Sequence, residues 1–435
     1  MQFSDVNDLI AFIETSKRFS PKVGLTKMQF LCQLFNHPEE KFKSIHVTGT
    51  NGKGSVVSYL ASIFRQAGLN VGTFISPYIV CFNERIGFNN QMISDEDLLR
   101  IGNLVLSHYD QISQAGFDYP SFFELITIIA FIYFSEQDNL DLAIIEVGIG
   151  GLLDATNVIT PLISVITNVA FDHTNVLGPT LSSILTNKLG IAKPKVPLVT
   201  GIKDENLIMQ CRTYCEQIDT PCYFTNPLEI EIHETSILGS CFSTKNINNI
   251  KINLAGFHQI ENALIAIKVI NIFNRSIFRK LKKSNKKISN VILKRGLEST
   301  KWPGRLEVIS ENPLVIIDGG HNVDGINRIV EFIKTLPYKT KRCIFACSND
   351  KDKGRMIPLL EPIFDEIIFT SFSYKRHSNA LELYQLSKHH RKELDLDLHH
   401  IITSVWDHPA DLNLFIGSLY FVSEIRPLLI NQTKK

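Results

Sequence analysis

The chain has 435 residues, 44% of them apolar and 20% charged, the balance of a soluble globular protein with room for two or three domains. Forty-five Lys and Arg face 44 Asp and Glu, a net charge of +1, so nothing points to a nucleic acid or a membrane surface as partner. The first residues, M-Q-F-S-D-V-N-D, lack the basic-then-apolar layout of a signal peptide, and no apolar run approaches the roughly 20 residues of a membrane span. A cytoplasmic protein is expected.

In chain order, residues 1–42 read as helical, punctuated around Pro21 and Gly24. Residues 45–57, I-H-V-T-G-T-N-G-K-G-S-V-V, follow. A short apolar strand enters a glycine-rich turn, and a helix over 53–67 starts at once, with Gly68 as its stop. Gly49, Gly52 and Gly54 let backbone N–H groups converge, the helix N-terminus adds partial positive charge, Lys53 adds a full one and Ser55 a hydroxyl. Together with Thr50 and Asn51 these residues form a candidate polyphosphate cradle. The stretch departs from the usual G-x-x-x-x-G-K-[ST], because Val47 stands at the first glycine and Gly54 separates Lys53 from Ser55.

A second strand is expected over 70–75, ending at Ser76, and a polar irregular segment over 81–91. Ser94 reads as a helix cap with Asp97 at the third helical position. Residues 121–134 read as a buried helix, and 141–148 and 162–168 as buried strands. Continuous apolar strands separated by helices predict a parallel sheet covered on both faces. Ligands of such sheets bind beyond the strands' C-terminal ends, where Lys53, Ser76, Glu146 and His173 all fall. Residues 225–253 turn polar and alternating, a small antiparallel excursion, and a helix over 257–273 follows. The basic segment 275–287 reads as a solvated surface. A boundary falls near S-T-K-W-P-G at 299–304, and strands and helices alternate again over 314–318, 322–336, 341–347, 365–370 and 412–416.

Eight cysteines are scattered along the chain. Cys211 and Cys215 are four apart, as are Cys343 and Cys347, but neither pair has a nearby Cys or His set at zinc spacing, so reduced thiols are expected. Glu146 ends a buried strand, where a carboxylate needs cationic or hydrogen-bonding partners; Mg²⁺ and backbone N–H groups are both suitable. His173, in F-D-H-T-N, also follows an apolar strand, and by itself reads as structural.

The full string T-G-T-N-G-K-G-S at 48–55 resembles the ATP loop of the folylpolyglutamate synthase and dihydrofolate synthase family, a branch of the Mur ligase superfamily. Further similar strings follow in order: N-E-R-I (83–86), F-E-L-I-T (123–127), E-V-G-I-G-G-L-L-D-A-T-N (146–157), D-H-T-N-V-L-G-P-T (172–180), N-K-L-G-I-A-K (187–193), H-Q-I-E-N-A (258–263), W-P-G-R-L-E (302–307), D-G-G-H-N (318–322) and G-S-L-Y (417–420). The resemblance implies an α/β architecture. A large P-loop-type domain with a mostly parallel sheet would cover 1–298, and a smaller Rossmann-like α/β glutamate ligase domain 299–435.

It also implies a cytoplasmic, monomeric, ATP-dependent ligase joining L-glutamate to the terminal carboxylate of a folate, or making dihydrofolate, or both. Lys53 would hold the β- and γ-phosphates, Ser76 and Glu146 one Mg²⁺, and His173 a second. Lys188 would carry CO₂ as a carbamate, Asn262 would face the adenine, and Arg305, Asp318 and His321 would reach the nucleotide across a closing cleft. The chain departs from the family pattern at Tyr78, Leu152, Asn187, Leu189 and Gly320, none of them a phosphate or metal group.

Overall fold

Two sheets organise the chain, each at the centre of its own compact unit. One unit comprises Met1–Leu228 and Asn262–Leu297, the other Glu229–Glu261 and Glu298–Lys435. The computed structural model describes residues 2–16, 24–226, 228, 230–281, 287–374 and 377–434. Pro21 and the middle of the basic segment, 282–286, lie outside the described residues.

The first unit's sheet has eight strands: β1 Ser44–Thr48, β2 Val71–Phe74, β3 Ile86–Phe88, β4 Gln91–Met92, β5 Leu142–Glu146, β6 Ile163–Ile166, β7 Leu198–Thr200 and β8 Cys222–Phe224. Their order is β4-β3-β2-β5-β1-β6-β7-β8. The six strands from β2 to β8 run parallel, and β3 and β4 add an antiparallel edge. The expected irregular segment 81–91 is therefore partly a hairpin: Gly72, Thr73 and Phe74 pair with Phe88, Gly87 and Ile86. Its short apolar triplet Ile86–Phe88 is stabilised by pairing to β2, a partner its own sequence does not announce.

All five residues of β1 and of β5 are buried, as continuous apolar strands require when both faces are covered. On one face, Phe74, Ala143 and Ile145 join a core with Leu9, Leu98, Ile101, Ile129 and Phe131 from the helices Val6–Thr15, Asp95–Ser107 and Phe122–Ser135. Ser121 opens the last of these with a reciprocal capping box to Glu124, which also pairs with the buried Lys27 at 3.2 Å. Ser94 caps its helix at the Asp97 N–H as expected. The helix Lys53–Gln66 ends at Gly68, where the Leu69 N–H reaches the Phe64 carbonyl and the Gly68 N–H reaches that of Arg65, the paired closure of a Schellman motif.

The second unit opens with a three-stranded antiparallel sheet, β9 Ile230–Ser236, β10 Gly239–Thr244 and β11 Ile247–Ile252. Its larger sheet holds β12 Glu307–Glu311, β13 Leu314–Asp318, β14 Lys341–Phe345, β15 Glu366–Phe369, β16 Lys392–Leu394 and β17 Leu412–Ile416 in the order β12-β13-β17-β14-β15-β16. All neighbours are parallel except β12 with β13. Packing differs from the expected division at 298/299, because residues 229–261 belong with the C-terminal segment. Ala255 is part of the core that holds Leu306, Ile316, Phe332 and Leu414, and Ile237 and Phe257 pack against it. Among the described residues no helix is long and apolar enough to cross a membrane.

Candidate functional site

The four central strands of the first sheet, β2, β5, β1 and β6, are neighbours, and the candidate residues of this unit gather at their C-terminal rim. Register sets the level: Val47 lies beside Glu146, Phe74 beside Ile145, and Thr48 beside Ile166. The turn after β1, the end of β2 at Ser76, the end of β5 at Glu146 and the segment after β6 thus share one edge, the ordinary ligand position of a parallel sheet.

The loop Gly49–Ser55 is braced from the segment after β6. Thr50 N–H donates to the Asn168 carbonyl (3.2 Å) and Asn51 N–H to the Asn168 side-chain oxygen (2.9 Å). The Thr50 hydroxyl donates to the Ala170 carbonyl and accepts from the Ala170 N–H, and the Thr167 hydroxyl donates to the Asn51 carbonyl. A Cβ on Gly49 would overlap the Thr167 hydroxyl. Gly52 sits at φ +79°, and a Cβ there would overlap the Asn262 side-chain oxygen, so these two glycines are demanded by both conformation and space. Lys53 opens the helix and folds its ammonium over the loop, to the Gly49 (3.2 Å) and Thr50 (3.3 Å) carbonyls. Ser55 is buried in the first turn.

Beside the loop, Glu146 is buried and accepts the Ser76 N–H at 3.2 Å. Arg85, also buried, donates to the Ser76 hydroxyl at 3.1 Å. Its guanidinium is held 5.0, 5.5 and 5.0 Å from the rings of Tyr78, Phe82 and Phe122. Tyr78 itself donates to Glu14 at 2.9 Å. The N-E-R-I stretch thus delivers a buried cation directly behind Ser76.

Lys188 is 2% exposed at the end of the helix Leu181–Leu189. Burial, and secondarily the like charge of Lys53, hold its amine down to about 7, with the Asp172 carboxylate pulling the other way. Asp172 precedes His173, which lies at φ +49° and heads the short helix Thr174–Leu177. The His173 N–H donates to the Asp172 carboxylate at 2.9 Å, and the two side chains approach to 3.9 Å. Lys53, Lys188, Asp172 and His173 therefore form one electrostatic neighbourhood.

Residues 146–157 fasten that neighbourhood together. The buried Asp154 accepts from Ile149 N–H (3.0 Å), Thr156 N–H (3.1 Å) and the Thr156 hydroxyl. The Asn157 amide donates to the Leu152 and Gly190 carbonyls, each at 3.0 Å, and Leu152 N–H donates to the Asn187 carbonyl at 2.7 Å. The loop leaving Glu146 is thereby tied to the last turn that carries Lys188. His46, fully buried on β1, meets the Thr156 hydroxyl at 2.8 Å, and burial holds it neutral with its pKa lowered to about 3.

In the second unit, Asp318 ends β13 and accepts Leu306 N–H (2.8 Å) and Gly320 N–H (2.6 Å). Burial raises its pKa, and Arg305 and His321 oppose the rise. His321 Nδ1 meets the Gly319 carbonyl at 2.8 Å. Glu307 anchors the 302–307 stretch through a forked contact with Arg426 (2.7–3.1 Å) and by accepting Gly304 N–H at 2.8 Å.

The Mur ligase middle domain matches residues 47–270, and the Mur ligase glutamate ligase domain matches 304–413. The chain is 36% identical over 435 residues to the dihydrofolate synthase/folylpolyglutamate synthase of Bacillus subtilis, covering 98% of this chain and 100% of that one. The chain belongs to the folylpolyglutamate and dihydrofolate synthase family of Mur ligases. The folylpolyglutamate synthase of Lacticaseibacillus casei is 31% identical over 433 residues, with 97% and 98% of the two chains covered. The crystal structure of the Thermotoga maritima folylpolyglutamate synthase matches with a TM-score of 0.82 at 28% identity, over 99% and 97% of the chains. A folylpolyglutamate synthase complex with AMPPCP and folate also gives 0.82, at 28% identity over 98% and 100%.

This member of the synthase family is an ATP-dependent ligase. The first unit gathers Gly49–Ser55, Ser76, Glu146, His173 and Lys188 near the rim, with Asn262 against Gly52; the second gathers Arg305, Asp318 and His321. Sequence reading did not single out Thr167, Asn168, Arg85 or Asp172, nor the scaffolding role of Asp154 and Asn157. Asp172 adjoins His173, and Arg85 lies within N-E-R-I. Thr167 and Asn168 carried no signal except their place at the end of a strand.

Proposed function

We propose that this synthase joins the amine of L-glutamate to the terminal γ-carboxylate of a folate, consuming ATP and releasing ADP and phosphate. The observation that carries the reading is the braced loop Gly49–Ser55, with Lys53 lying next to a buried, easily neutralised Lys188 and the Asp172–His173 pair. A folate carboxylate oxygen bonds to the γ-phosphorus as ADP leaves. The glutamate amine then adds to the acyl phosphate, and phosphate departs with the carboxylate oxygen as the amide forms and the nitrogen gives up one proton. Phosphorylation supplies the leaving group that a carboxylate lacks, so the chain's task is positioning and charge neutralisation. Backbone N–H groups of the loop and Lys53 hold the phosphates and Asn262 faces the adenine; Arg305, Asp318 and His321 are the candidate nucleotide ligands that the second unit carries.

The donor set fits two Mg²⁺ ions: the Ser76 hydroxyl and buried Glu146 carboxylate are hard oxygens at the rim, and His173 offers an imidazole. When bound, magnesium would neutralise phosphate charge there. A neutral Lys188 amine is the form that adds CO₂, so its lowered pKa favours a carbamate, which would exchange a buried cation for an anion beside the metals. The acid substrate is assigned to the groove of about 880 Å³ lined by Val6, Ile10, Tyr78 and Phe82. The protein acts as a cytoplasmic monomer with small-molecule partners and no nucleic acid.

A second reading, dihydrofolate synthesis from dihydropteroate alone or beside the first, is favoured by the double name of the Bacillus subtilis relative. ADP release by the purified protein, screened over dihydropteroate, folates and amino acids, tests both. Release that requires a folate and glutamate together supports the synthase; release only with dihydropteroate overturns the preference. Lys53→Ala should abolish release with the thermal transition unchanged.

A further inference from the structure

The helix Glu205–Gln217 places Cys211 and Cys215 one turn apart on its buried side, and the edge strand β8 begins at Cys222. A tight turn between them, with the Thr220 N–H on the Cys215 carbonyl at 2.8 Å, returns the chain so that the third thiol meets the first two. The three sulfurs lie within 4.8 Å of one another, Cys211 and Cys222 at 3.7 Å. All eight cysteines are free, as expected, and Cys222 adds to the Cys211–Cys215 pair a neighbour that no zinc spacing marks. The spacing 211, 215, 222 matches no zinc signature because the third ligand comes from a strand and not from the same helix.

We propose that Cys211, Cys215 and Cys222 form a three-thiolate site for one soft d10 cation of the Zn²⁺ and Cd²⁺ class, separate from the ligase centre. A cation about 2.3 Å from each sulfur requires sulfurs about 3.8–4.0 Å apart in tetrahedral or trigonal geometry; the Cys211–Cys222 separation of 3.7 Å is close to this, and all three sulfurs lie within 4.8 Å of one another. Cys211 and Cys215 are buried among Leu198, Leu207 and Ile202, whereas Cys222 is half-exposed. The ion therefore enters past Cys222, where water or a small thiol can fill the fourth position. Soft thiolates select such metals over Mg²⁺.

Binding replaces three S–H protons by one M²⁺, leaving one net negative charge. Arg212, whose guanidinium stands 5.3 Å over the Phe224 ring, lies close enough to Cys222 to favour its thiolate. Within the cluster Cys215 is the thiol biased towards ionisation, pulled well below its ordinary value by hydrogen bonds from Cys211 and Cys222, while Cys211 and Cys222 are held up by their hydrogen bonds to Cys215 and by burial and give up their protons on binding the cation. A disulfide would use two of the sulfurs and strand the third, whereas a metal engages all three.

The test is a titration of the full-length, phosphine-reduced, metal-free protein with Cd²⁺, followed by the ultraviolet thiolate-to-metal charge-transfer band. The expected result is saturation at one equivalent with proton release and a raised melting temperature. Co²⁺ should give the intense sulfur-ligand spectrum of a thiolate-rich site, and Zn²⁺ should displace it. Cys222→Ser, whose side chain is half-exposed, should lose most of the band while retaining the metal-free melting temperature; Cys211→Ser and Cys215→Ser should lose it as well. Cys81→Ser and Cys241→Ser should keep it. Absence of the band at one equivalent, its survival in Cys222→Ser, or its loss in Cys81→Ser would overturn the proposal. A Cys222 disulfide forming under mild oxidation in a chain that takes up no metal would assign the cluster to redox chemistry instead. None of these readouts depends on ligase turnover.

Discussion

Lys188→Met should make the protein more stable while abolishing its turnover. The wild-type amine is held at about 7 against an ordinary 10.5, chiefly by burial. Between those values the unfolded chain binds a proton that the folded chain does not. Stability therefore rises with pH across this window, and the full cost of the buried ammonium stands below about pH 7. The difference, 10.5 − 7, at about 1.36 kcal/mol per pH unit puts the cost on the order of 5 kcal/mol. That is the ceiling on what an apolar side chain of similar length recovers. Imperfect packing brings the expected gain to roughly 1–3 kcal/mol at neutral pH. The gap should then narrow by about 1.4 kcal/mol for each pH unit above 7, as the wild type sheds the proton in its folded state. Denaturant unfolding of both proteins in CO₂-free buffer from pH 6 to pH 9 measures this directly. Bicarbonate should then stabilise the wild type and leave the variant unchanged. A gap independent of pH, or a variant less stable than wild type at pH 7, would refute the argument that burial governs this lysine.

Gly49→Ala forces a methyl onto the Thr167 hydroxyl, so nucleotide affinity measured by calorimetry should fall at least tenfold; unchanged affinity would remove the brace from the account. Asp154→Ala strands the Ile149 and Thr156 N–H groups and should cost about 2–4 kcal/mol in denaturant unfolding, since each buried donor left unmet costs about 1–3 kcal/mol. His46 is held neutral down to about 3, so the unfolded chain gains a proton first as pH falls from 6.5. Stability should decline through that range by up to about 1.4 kcal/mol per pH unit, and His46→Gln should flatten the acid limb of the melting curve.

What the sequence made legible was local. The strand–loop–helix at 44–66, the capped helices at Ser94 and Ser121 and the parallel strands at 142–146 and 163–166 each carry their cause within a few residues: apolar continuity, a cap, a glycine. Lys53, Ser76, Glu146 and His173 could be placed because each follows a buried strand, whereas Lys188, Asn262 and Arg305 rested on the family resemblance alone. The missing parts were long-range. Ile86–Phe88 becomes a strand only because β2 offers it an edge. Thr167 and Asn168 matter through hydrogen bonds to residues more than a hundred positions earlier. The Asp154 latch lies inside the 146–157 string with no role legible there, and is framework that only its hydrogen bonds reveal. Cys222 joins Cys211 and Cys215 by chain reversal, which no fixed spacing encodes.

The chain passes between its two units three times, at 228/229, 261/262 and 297/298. Modular exchange at the obvious seam therefore miscarries. A fragment beginning at 299 leaves behind Ala255, Ile237 and Phe257, which complete the hydrophobic interior of the C-terminal sheet. Chimaeras between family members should inherit residues 229–261 from the same parent as the C-terminal portion, and shuffling libraries that respect this rule should yield more soluble clones than those cut once.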